Sequence, residues 1–277
     1  MIAFLGSVFS PYYALARRGG GGNPLAHCAV NVALHGPRGK RWAFTERGES
    51  AVGRGPDWLR IGPSGLSWDG DALRITLDEV AAWAPARIRG TVVVRPEALT
   101  SHTVRLDAAG RHRWSPLAPR SRVEVALQHP ATRWQGDGYF DTNDGDAPLE
   151  QDFRHWHWSC ARLRQGAAIL YDVTRRDGSR LPVALHIDAA GKVAETEAPP
   201  LQPLRGSRWG VARETRTHGT AQVQRTLLDS PFYTRSVLAT EMMGEPAMAM
   251  HESLALERFA APWVQAMLPF RVPRSWK

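Results

Sequence analysis

The sequence predicts an all-β protein. Turn signals rich in Gly, Asp, Asn and Pro recur at short, even intervals. Between them lie short runs in which β-branched and apolar residues alternate with polar ones. Helical periodicity is confined to PLEQDFRHW (148–156) and AAPWVQAML (260–268). Short strands at this spacing build sandwiches or barrels.

Taken in order, the chain opens on MIAFLGSVFSPYYALARR (1–18). This stretch reads as a buried strand rather than a signal peptide, because no basic segment precedes it and tyrosines and a proline interrupt its apolar run. Strands are expected at 29–34, 41–46, 73–80, 91–96, 122–128, 167–174, 181–188, 211–216, 221–228, 233–242 and 248–259. The turns between them include RRGGGGNP (17–24), HGPRGK (35–40), DAAGRH (107–112), DTNDGD (141–146) and RRDGSR (175–180). Proline-rich EAPPLQPLRG (197–206) reads as an extended connector, since Pro and the residue before it favour extended backbone. DGDALRITLDEV and DGSRLPVALHIDAAGKV echo each other, each leading a Gly-bearing turn into a strand. With the polar break near residue 150, this suggests two β domains, 1–148 and 149–277.

The formal charge of +8, with arginine in excess, favours anionic surfaces or reflects no more than a preference for Arg over Lys. Cys28 and Cys160 fit no metal spacing and are expected to be free thiols. No apolar run approaches the roughly 20 residues that span a bilayer.

Several chemistries fail on spacing. Counted from Asp141, the calcium-loop pattern needs Gly at its sixth position and finds Asp146. His155 and His157 share a strand face, but no third zinc ligand has a recognisable spacing, and an interface or core cluster is the simpler reading. GGGGNP is not followed by Lys-Ser/Thr, no GxGxxG follows a strand, and no GxSxG elbow is present.

Acid chemistry remains. RHRW places His112 and Trp114 at i, i+2, and GYFD places Tyr139 and Asp141 likewise. In a strand each pair points to one face. RVEVALQ is expected to meander beside both, so that all four side chains project into one interior. Singly, each has an ordinary reading, and an Asp beside a Gly-rich turn is usually a solvated cap. Together they supply a carboxylic acid, a proton-relaying partner and two π-faces, the parts for protonating an alkene and holding a carbocation.

FLGSVFSPYYA, HCAVNVALHG, WAFTERG, RHRWSPLAPRSRVEV, RWQGDGYFDTNDGD, SPFYTRSVLAT and HESLALERFAAPWVQAMLPFRVPR together resemble the carotenoid 1,2-hydratase (hydroxyneurosporene synthase) family of photosynthetic bacteria, nearly end to end. The resemblance implies two lipocalin-like (calycin) β-barrel or sandwich domains in tandem. It implies cofactor-free, metal-free addition of water to the terminal C1=C2 bond of an acyclic carotenoid such as neurosporene or lycopene. The family's essential His-x-Trp and Tyr-x-Asp pairs fall on His112, Trp114, Tyr139 and Asp141. Asp141 is then the acid, Trp114 and Tyr139 stabilise the cation, and His112 either handles the water or hydrogen-bonds Asp141. The partners implied are the carotenoid, water and a membrane surface met peripherally from the cytoplasm, with no nucleic acid. Family members usually begin some tens of residues earlier, so the first strand of the first domain is expected to be missing. The tail APWVQAMLPFRVPRSWK suits membrane contact or packing across a barrel. The rival class is a lipocalin-like carrier that binds the polyene and leaves it unchanged.

Overall fold

The computed structural model describes residues 1–36, 39–81 and 86–275. Two compact units are present. The first comprises Met1–Arg95, Arg122–Gly136 and Gln265–Lys277, and the second Pro96–Ser121 and Asp137–Val264. The tip of the turn expected over 35–40, Pro37 and Arg38, and the last two residues of the tail lie outside the described residues.

In the first unit, β1 (Ile2–Phe4), β2 (Cys28–Gly36) and β3 (Gly39–Arg47) form an antiparallel sheet. The opening stretch differs from expectation: its strand is three residues long and only partly buried, and a helix, α1 (Pro11–Arg18), follows. The cause is local. Ser10 caps the helix by accepting from the Tyr13 N–H at 2.9 Å, and Pro11 fits the first helical turn. Phe4 stacks on Phe44, and both pack with Ala29 and Val272.

A second sheet begins as a meander of β4 (Val52–Arg54), β5 (Trp58–Ile61), β6 (Ser64–Trp68), β7 (Leu73–Val80) and β8 (Arg87–Pro96). The alternation of LRITLDEV buries Leu73, Ile75, Leu77 and Glu79 on one face of β7. Glu79 is held by Arg47 at 2.8 Å and Ser64 at 2.6 Å. After the short β9 (Val104–Arg105), the sheet order continues through β10 (His112–His129) and β11 (Ala131–Gly145). RHRW and RVEVALQ therefore lie on one continuous strand rather than on separate legs of a meander. Likewise TNDGD, expected as a solvated turn, is largely strand, because β11 runs on to Gly145.

The second unit is built on a seven-stranded antiparallel sheet. After α2 (Leu149–Asp152) come β12 (Phe153–Leu163), β13 (Gly166–Arg175), β14 (Arg180–Ile187) and β15 (Val193–Glu195). Only the first four residues of the expected 148–156 helix are helical apart from Pro148, its N-cap, because the aromatic run from Phe153 prefers a strand. The connector over 197–206 is extended and pairs β16 (Leu201–Pro203) with β17 (Glu214–Arg216). The strands β18 (Gln222–Asp229), β19 (Tyr233–Met242) and β20 (Glu245–Ala255) complete the order β15-β14-β13-β12-β20-β19-β18. The chain ends with α3 (Leu256–Phe259), α4 (Pro262–Arg271) and β21 (Arg274–Ser275), which runs parallel to β3. The fold is mostly β, and each sheet runs from one edge strand to another without closing among the described residues.

Candidate active site

Register divides the side chains of the seven-stranded sheet between two faces. Directly opposed residues share a face. Tyr171 on β13 opposes Trp158 on β12, which opposes Glu252 on β20, which opposes Arg235 on β19. With Trp156 and Cys160, two residues either side of Trp158, these residues make an aromatic face. The other face carries His155, His157 and Ser159 of β12, Asp172 of β13, and His251 and Ser253 of β20.

The parts of β10 and β11 that belong to the second unit pack on the aromatic face. Trp114 meets Tyr171 edge-on at a centroid distance of 5.2 Å, and Tyr139 lies 4.9 Å from Trp158. Trp114 is 0% exposed. Its indole N–H donates to Asp141 Oδ2 at 2.9 Å, and the Tyr139 hydroxyl donates to the same oxygen at 3.0 Å. Three of the four residues singled out from the sequence thus form one hydrogen-bonded group. Both side-chain donors thus converge on Oδ2.

Electrostatics favours a proton on Asp141. Burial raises the Asp141 pKa, the hydrogen bonds from Trp114 and Tyr139 oppose the rise, and the negative charge of Glu252 adds to it. The net shift is upward. Both side-chain donors are neutral. Tyr139 is raised well above its ordinary value by burial and then by Asp141, so it remains a phenol. The Cys160 thiol is pushed up by burial and is no nucleophile.

His112 is buried but stands apart from this group. Its Nε2 pairs with Asp152 at 2.8 Å, its backbone N–H donates to Asp107 at 2.7 Å, and its ring meets Phe153. Gly145 makes room for it, since a Cβ there would lie 2.6 Å from His112 Nδ1.

Sequence reasoning missed four residues of the aromatic face. Trp158 and Tyr171 wall the site, and Arg235 binds Glu252 Oε1 through Nε at 2.8 Å and Nη2 at 2.7 Å. Burial disfavours the charge on Arg235, but Glu252 and Tyr233 outweigh it and raise its pKa. A cavity of about 190 Å³ lies elsewhere, lined by Arg154, His155, His157 and Arg258 among others, its histidines coming from the opposite face. Among the described residues, no group of three or more His, Cys, Asp or Glu is arranged to hold a metal ion.

All of residues 1–277 match the family described as Carotenoid hydratase CrtC. The chain belongs to that family. The acyclic carotenoid 1,2-hydratase of Thiocapsa roseopersicina is 51% identical over 277 residues, which are 99% of this chain and 68% of that protein. The acyclic carotenoid 1,2-hydratase of Cereibacter sphaeroides is 43% identical over 278 residues, covering 99% of this chain and 98% of that one. A crystal structure from Nitrosomonas europaea described as AttH superposes with a TM-score of 0.60 at 14% identity, covering 83% of this chain and 81% of its own, a likeness of fold.

Proposed function

We propose that this chain is an acyclic carotenoid 1,2-hydratase that adds water to the terminal C1=C2 bond without a cofactor, using Asp141 as the acid. The observation that carries the reading is a carboxyl whose side-chain donors, Trp114 and Tyr139, are both neutral. An isolated alkene is a poor base, so its protonation needs a carboxylic acid that keeps its proton in an apolar setting. Asp141 delivers that proton to C2, which leaves the charge on C1, the more substituted carbon. The ring faces of Trp114 and Tyr139 stabilise the cation by about 2 kcal/mol each where water is excluded. Water then adds to C1 and gives a tertiary alcohol. His112, tied to Asp152 two residues before Trp114 on β10, acts by fixing the strand that carries the tryptophan.

A polyene dissolved in a bilayer must be met at the membrane surface, and we place the protein there, peripherally and on the cytoplasmic side. No helix among the described residues is long and apolar enough to cross a membrane. On α4, Trp263, Met267 and Phe270 are exposed at i, i+4 and i+7, an apolar stripe suited to lying in an interface. Cys28 and Cys160 are free and buried, which accords with a reducing compartment.

The test is incubation with lycopene followed by mass spectrometry. A hydratase yields a product heavier by one water. A carrier returns the carotenoid unchanged, and that result would sink the reading.

A further inference from the structure

A second carboxylate shares the aromatic face with Asp141. Glu252 opposes Trp158, the residue on which the Tyr139 ring packs, and its charge acts on Asp141, Tyr171 and Tyr233. The two acids are held in opposite ways. Asp141 receives only neutral donors, whereas Glu252 is in an ion pair with Arg235. A carboxyl among neutral donors and a second one beside a guanidinium can divide the roles of acid and base between them. Both Arg235 contacts go to Oε1, and the Tyr233 hydroxyl also hydrogen-bonds the Glu252 carboxyl. On the neighbouring strand, Trp158, directly opposite Glu252 in register, is 8% exposed and its indole N–H is buried without an acceptor among the described residues. Buried donors are nearly always satisfied, so an orphaned one on a reactive face marks a place for a polar ligand. His112 is a poorer candidate for this work, because its Nε2 is committed to Asp152.

We propose that Glu252, fixed by Arg235, accepts the proton of the water that adds to C1, with the Trp158 N–H holding that water's oxygen. The proposal rests on the hydratase reading above. The atoms balance as follows. The Asp141 O–H bond breaks as the C2–H bond forms, and the π electrons leave the positive charge on C1. A lone pair of the water oxygen closes the C1–O bond, and one of its protons passes to Glu252. Glu252 then releases a proton to solvent and Asp141 regains one, so the sum is alkene plus water.

The experiment compares the wild type, Glu252→Gln, Trp158→Phe and Asp141→Asn acting on lycopene in D2O. In Glu252→Gln, hydration falls by about 10²-fold or more at unchanged KM, the usual worth of a general base. Recovered lycopene nevertheless gains deuterium, because Asp141 still forms the cation and the cation returns by losing a proton. Trp158→Phe, which keeps a ring but removes the donor, lowers hydration about tenfold and also retains exchange, the loss of one hydrogen bond. Asp141→Asn lowers hydration and exchange together. Hydration within a few-fold of wild type in Glu252→Gln overturns the proposal and leaves the hydratase reading intact, with Asp141 then serving as both acid and base. Loss of exchange together with hydration in Glu252→Gln also overturns it, since Glu252 would then only support the structure. A wild type that neither hydrates nor exchanges defeats the hydratase reading itself, and this proposal with it.

Discussion

The two faces of the seven-stranded sheet in the second unit hold carboxyls in different company. Asp172, on the histidine face, is gripped by Arg216 at 2.6 Å and Arg180 at 3.1 Å. Asp141, against the aromatic face, has an indole N–H and a phenol O–H. A guanidinium forms a charge-assisted hydrogen bond that ties a carboxylate into the structure. Neutral donors hold a carboxyl in place while burial keeps its proton on. The same side chain is therefore structural on one face and suited to chemistry on the other, and the difference lies wholly in its neighbours.

The sharpest way to break this comparison is to exchange each acid for its amide. Asp141→Asn should lower hydration of lycopene by about 10²- to 10⁴-fold, the range of a general acid, with the thermal midpoint little changed. Asp172→Asn should do the reverse. It leaves Arg216 largely buried without its anion and should cost about 3 kcal/mol in a denaturant titration, while turnover of the folded fraction persists. Arg180 is too exposed to add much to that figure.

The histidine face also carries an acid sensitivity. Burial, and then the charge of Arg213, depress the His251 pKa from 6.5 to about 3. Burial, and then His251, push His157 well below its ordinary value. Both are neutral when folded but protonate readily when unfolded. Their contribution is thus fully present above pH 6.5 and is lost as the pH falls from there towards 3. Between those limits His251 alone should cost about 1.4 kcal/mol per pH unit. Denaturant midpoints measured across the interval should fall less steeply in His251→Asn than in the wild type.

The smallest effect tests the donors. The hydroxyl of Tyr139 lowers the Asp141 pKa against the larger effect of burial. Tyr139→Phe should therefore move the basic limb of the pH–rate profile upward, with about a tenfold loss of rate from poorer positioning of the acid. A downward shift would show that the hydroxyl does not donate to Asp141.

Much of the fold was legible because alternation is a local signal. LRITLDEV is found as Leu73–Val80, and YTRSVLATEM as Tyr233–Met242. The helix over Pro11–Arg18 was hidden by its apolar and aromatic content, although Ser10-Pro11 is a helix-start signature. Strand length was less legible, since Ser-Pro and Ala-Pro pairs within β10 read as breaks, yet the strand runs on from His112 to His129. At the site, the spacing of Trp114, Tyr139 and Asp141 fixed which side chains share a face. It gave no account of Asp152 as the partner of His112, nor of Trp158, Tyr171, Arg235 and Glu252. These meet through cross-strand register between segments far apart in sequence, for which one chain offers no local pattern.

The central claim is that Asp141 holds its proton while the enzyme works. Infrared difference spectra of wild type against Asp141→Asn, recorded across the pH range of activity, address it directly. We expect the carbonyl band of a protonated carboxyl in the wild type only, disappearing as the pH rises in step with the rate. A wild type that shows only the carboxylate bands of Asp141 at the pH of fastest hydration would contradict the account.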